Sequence, residues 1–79
     1  MPASPRDVVA RRRVIGDRIR VARLHANLSQ ERLGEAAGID RRTVSMVETG
    51  ATSPRLDWLL LMADALGMPL SRLVRDEEE

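Results

Sequence analysis

Seventy-nine residues, 43% of them hydrophobic, are expected to form one small domain with a modest core. The absence of cysteine excludes a disulfide framework, a thiol nucleophile and a thiolate metal site, so a chain this small must rely on packing and, we expect, on self-association. The net charge of +1 hides an asymmetry: Asp76 to Glu79 read DEEE, and without them thirteen arginines face eight acids, a balance of +5 that points to a polyanionic partner.

A single aromatic residue, no alternating apolar pattern and abundant Ala, Leu, Arg and Glu predict an all-α domain of five helices. The first is expected from about Pro5 to Ala26, with Ser4 as N-cap and Pro5 at the first helical position. Ile15, Ile19 and Ala22 recur on its inner face, and Asn27 suits the left-handed residue that closes it. The second starts after the N-cap Ser29 of LSQERLGEAAG and ends at Gly38, with Leu33, Ala36 and Ala37 expected inside. The third begins after the N-cap Asp40 and ends near Thr49, burying Val44 and Val47. Ser53-Pro54 reads as a further cap and first-turn proline, launching RLDWLLLMADAL, which Gly67 stops. A short fifth helix spans about Leu70 to Arg75.

No apolar run approaches the roughly 20 residues that cross a bilayer, and MPASPRDVVARRR lacks the order of charge, apolar core and cleavage site of a secretory leader. A cytoplasmic protein without a membrane partner is expected. His25 has neither a second histidine nor a suitably spaced set of carboxylates, so no metal, cofactor or small-molecule ligand is expected. The sequence also shows no nucleophile beside a base and no carboxylate pair in an apolar pocket, which argues against an enzyme.

The informative stretch is residues 28 to 50. About three residues join the second and third helices, too few for a comfortable antiparallel return, so the two must cross at a large angle as a helix-turn-helix. Gly34 permits close approach of the helices, Gly38 relieves the turn, and Leu33, Ile39, Val44 and Val47 form the apolar set that holds the pair rigid.

With these residues in place, LSQERLGEAAGIDRRTVSMVETGATSPRLDWLLLMADALGM resembles the lambda repressor and Cro family of helix-turn-helix domains over about residues 14 to 74. The resemblance implies a five-helix bundle whose third helix enters the major groove of double-stranded DNA, with dimers spanning two half-sites about one turn apart. It implies a bacterial or phage transcriptional regulator. The expected organisation is residues 1–13 as an extension and the start of the first helix, 14–75 as the DNA-binding domain, and 76–79 as an acidic tail.

Carried over residue by residue, the resemblance makes Arg41, Arg42 and Met46 base-facing. Arginine there suits guanine, whose O6 and N7 accept its two-pronged donor fork. Ser29 and Gln30, at a helix N-terminus suited to an anion, are assigned to backbone phosphate, as are Thr43, Ser45, Thr49 and Arg55. Arg23 and Glu48 match an ion pair that ties the first helix to the end of the third. The arginines at 11 to 13 fan across roughly 200 degrees of helix and cannot form one patch.

The fourth helix departs from the family. Trp58, Leu61 and Ala65 stand at i, i+3 and i+7 where polar residues are usual, and this stripe is expected to form a homodimer interface; the competing reading folds Trp58 back over the first helix. Three settings remain open for such a regulator: control of a restriction-modification operon, phage repression, or the antitoxin of a toxin-antitoxin pair. A protein-interaction module that has lost DNA binding is the alternative of a different class, and the donors at Gln30, Arg41 and Arg42 argue against it.

Overall fold

Local capping chemistry sets the boundaries of the helices. The computed structural model describes residues 4–76, and every regular element among them is helical. Helix α1 (Pro5–His25) opens with a capping box: the Ser4 hydroxyl accepts from Asp7 N–H at 3.2 Å while the Asp7 carboxylate accepts from Ser4 N–H at 3.3 Å. It closes through Asn27 at φ 58°, as the sequence predicts. Helix α2 (Gln30–Ala37) is capped by the Ser29 hydroxyl, which accepts from Arg32 N–H at 3.0 Å. Asp40 caps α3 (Arg41–Thr49), accepting from Thr43 N–H at 2.7 Å.

The expected start of the fourth helix is wrong. Helix α4 (Leu56–Ala65) begins after Arg55, which makes no side-chain cap, so Ser53 and Pro54 stay outside it. Pro54 instead lines a groove with Val8, Arg12, Ile15 and Leu59, where it packs between the α1 side and the start of α4. Tertiary placement has overridden a good local start signal. Helix α5 (Leu70–Val74) ends one residue earlier than predicted.

Each helix delivers at least one fully buried side chain to a shared core: Ile19 from α1, Leu33 from α2, Val44 and Val47 from α3, Met62 from α4 and Leu73 from α5. Ile39, in the turn between α2 and α3, is buried beside them. Ala36 is exposed, contrary to expectation, because Leu33, Gly34 and Ala37 already occupy the inner face of so short a helix.

Two glycines set the crossings that aim α3. A Cβ on Gly34 would collide with the Ile39 carbonyl oxygen, so the absence of a side chain brings α2 onto the turn. A Cβ on Gly16 would meet the Val47 carbonyl and lie 2.7 Å from the Glu48 carbonyl oxygen, so α1 packs directly on the backbone of the last turn of α3. The closing residue of α3, Gly50 at φ 76°, gives its carbonyl to Arg12 Nε at 3.1 Å. One member of the arginine triplet is thus a structural cap.

Candidate nucleic-acid interface

Helix α3 buries Val44, Val47 and Glu48 and turns its remaining face outward. Arg42, Ser45, Met46 and Thr49 recur at i, i+3, i+4 and i+7, the spacing of a single helical face. Arg42 and Thr49 are exposed, and Ser45 and Met46 half-buried, so the stripe has long donors at its start and a flatter surface beyond. Arg41 is exposed on the flank of this stripe. Neither arginine forms an ion pair or hydrogen bond among the described residues, leaving both guanidinium forks unspent.

Other expected phosphate contacts already serve the fold. The Ser29 oxygen accepts the α2 cap bond, while its hydroxyl proton remains free to donate. Thr43 is half-buried, with its backbone N–H given to Asp40. Hydrogen bonds from the Thr43 side chain and backbone, then the charge of Arg42, hold the Asp40 carboxyl below the usual carboxylate range. The cap of α3 is therefore ionised at neutral pH. The Thr49 hydroxyl donates to the Met46 carbonyl at 3.3 Å, and Arg55 is exposed at the start of α4.

Behind α3 lies the polar joint that fixes its position. Arg23 Nε donates to Glu48 Oε2 at 2.7 Å and its terminal nitrogen to Oε1 at 3.0 Å, a two-pronged pair with Arg23 9% and Glu48 5% exposed. The other Arg23 terminal nitrogen donates to the Leu28 carbonyl at 2.9 Å. Gln30 Nε2 completes the set, donating to Glu48 Oε1 at 3.1 Å. Because a carboxylate only accepts, this contact forces the amide nitrogen of Gln30 inward and leaves its oxygen and second N–H for an outside partner. Glu48 thereby joins α1, the α1–α2 connection, the start of α2 and the end of α3. No buried side-chain polar atom among the described residues lacks a partner. The Arg23–Glu48 pair is the one the family resemblance implies; the Gln30 contact and the Gly16 crossing lie outside that expectation, although an unexplained glycine inside a predicted helix is a recognised sign of close packing.

The expected self-association stripe is divided. Leu61 is 44% exposed, whereas Trp58 and Ala65 are half-buried and pack against the core. The outer surface of α4 is nevertheless more apolar than that stripe, because Leu56 is 60% and Leu60 42% exposed. No helix among the described residues is long and apolar enough to cross a membrane.

Two short helices locked at a glycine turn, the second held by a buried ion pair and presenting unpaired arginines, define a helix-turn-helix protein. The chain belongs to the helix-turn-helix family, whose model matches residues 19–73. It is 36% identical to the restriction-modification controller protein C.AhdI of Aeromonas hydrophila, with a TM-score of 0.79 over 81% of this chain and 97% of that one. The P22 c2 repressor, solved in complex with a synthetic operator, is 28% identical with a TM-score of 0.75 over 81% of this chain and 97% of that one. The cryptic phage CTXphi transcriptional repressor RstR of Vibrio cholerae is 31% identical over 65 residues, 82% of this chain. The chain spans 59% of the length of that repressor.

Proposed function

We propose that the chain is a sequence-specific transcriptional regulator that binds double-stranded DNA as a homodimer on an operator of two half-sites. The observation that carries this reading is the outward face of α3, whose first turn holds two arginines with no partner among the described residues. A solvated surface has no use for rigidity at that point, yet α3 is clamped at both ends, by the Asp40 cap and by the Glu48 joint. Such clamping presents Arg41, Arg42 and Met46 to base edges in a fixed register. Ser29, Gln30, Thr43, Ser45, Thr49 and Arg55 grip the flanking backbone, and residues 14–75 are the unit that does so.

The homodimer forms over the outer face of α4, with Leu56, Leu60 and Leu61 at its centre, Trp58 and Ala65 at its edge, and α5 assisting through Val74. The chain is not an enzyme and works in the cytoplasm, where its DNA lies. Likeness to a restriction-modification controller over nearly the whole of that protein favours the controller setting over phage repression. A binding-site selection from random duplexes tests the reading: an inverted repeat with about one helical turn between half-site centres is expected. Recovery of no sequence preference, together with capture of a protein partner, would support the interaction-module alternative instead.

A further inference from the structure

Trp58 is the one aromatic residue of the chain, and the sequence gives it a place in a dimer interface. Its surroundings point elsewhere. The Arg55 guanidinium carbon lies 5.6 Å from the centre of the Trp58 ring, within cation–π range. Residues 55 and 58 are three apart at the first turn of α4, which puts the arginine directly over the ring. Both line an open groove of about 400 Å³ whose other wall is Gly38, Ile39, Asp40 and Thr43, the turn and first residues of the helix-turn-helix.

Two carboxylates, Asp40 and Asp57, line the same groove, yet Arg55 pairs with neither. That choice of partner matters chemically. A carboxylate would hold the guanidinium by consuming its N–H donors, whereas an aromatic face holds the charge and consumes none. The Arg55 guanidinium donates no hydrogen bond among the described residues, so its donor edge is complete while its side chain is already placed.

We infer that Trp58 is a positioning residue: its ring holds Arg55 beside the start of α3 so that the guanidinium meets a phosphate of bound DNA with little further ordering. The inference rests on the proposed phosphate contact of Arg55. Trp58 is half-buried and packs against the core, which steadies the platform. It gives Trp58 a role within each protomer, separate from its place at the edge of the proposed dimer.

A double-mutant cycle on the duplex recovered by binding-site selection tests this, with affinity followed against salt concentration. Trp58→Leu keeps apolar bulk and removes the ring; it should weaken binding about two- to fivefold per half-site, and Trp58→Met should do the same as a second ringless variant. Trp58→Phe keeps a face and should stay within about twofold of the parent. In an Arg55→Ala background, Trp58→Leu should have no further effect. Arg55→Ala should itself lower the salt slope by about one per protomer. An unchanged slope in Arg55→Ala refutes the phosphate contact and the inference with it. A lowered slope with parental affinity in both ringless variants refutes the inference alone, as does a full loss from Trp58→Leu that persists without Arg55. A shift of Trp58→Leu to monomer in sedimentation, with affinity restored at high protein concentration, would assign the loss to the dimer interface and refute the inference.

Discussion

Replacing Glu48 by alanine removes the acceptor on which three donors converge. Arg23 would keep only its bond to the Leu28 carbonyl, leaving Nε and one terminal nitrogen in a site where the residue is 9% exposed. Breaking a buried pair from one side costs roughly 3–5 kcal/mol. Arg23 retains one bond and a sliver of solvent access, which places the expected loss near the lower end, about 3 kcal/mol. For a domain whose whole stability is about 4–12 kcal/mol by its length, that is a large fraction. The melting temperature should fall by roughly 12–24 °C, read by circular dichroism. Substituting both partners, Arg23→Met with Glu48→Leu, should recover most of the loss, because no charge is then left buried. DNA affinity should not recover in parallel, since the double variant still lacks the carboxylate that orients Gln30. A Glu48→Ala melt indistinguishable from the parent would refute the argument, because it would mean that Arg23 re-solvates without penalty.

Gly16→Ala should destabilise the fold by about 1–3 kcal/mol despite the better helix propensity of alanine, since its Cβ collides with the α3 backbone; a melt above the parent would show that α1 and α3 are not in direct contact. The Asp40 carboxyl is lowered by its bonds to Thr43, so its contribution is fully present above the unfolded carboxylate value of about 3.9 and is lost as pH falls through its lower folded value. Asp40→Ala should remove that acid-limb dependence while Asp40→Asn retains much of the cap, a contrast that melts between pH 2 and pH 6 would reveal. Leu60→Asp should shift sedimentation toward monomer without unfolding the chain, and a monomeric parent at high micromolar concentration would remove the proposed α4 dimer altogether.

Much of this fold is legible because its signals are local. Ser4 with Pro5, Ser29, Asp40, Asn27 and Gly38 each act on a neighbouring turn, and the helix boundaries they imply are the ones observed. Ser53-Pro54 carries the same kind of signal and misleads, because burial of Leu59, Met62 and Ala63 fixes where α4 can begin and Pro54 is used to pack the groove beside α1. The Gly16 crossing depends on which helix arrives from 31 residues away, information that no local pattern holds. The candidate site divides in the same way. Arg41 and Arg42 follow from their place after the turn, and the cap bonds at Ser29 and Thr43 are local to their own turns, while the inward orientation of the Gln30 amide appears only once α1 and α3 are assembled around Glu48.

The central claim is that α3 reads base edges, and the most direct measurement is titration of Arg42→Ala on the selected duplex and its single-base variants. Arg42 sits on the outward stripe with Ser45, Met46 and Thr49 and has no partner among the described residues. Removing a bidentate contact to guanine should cost roughly 1–3 kcal/mol per half-site and flatten preference at one position in each, with preferences elsewhere intact. A variant that instead binds every duplex more weakly by the same factor, keeping the parental preference at all positions, would mean that Arg42 only grips the backbone and that this helix does not read sequence through it.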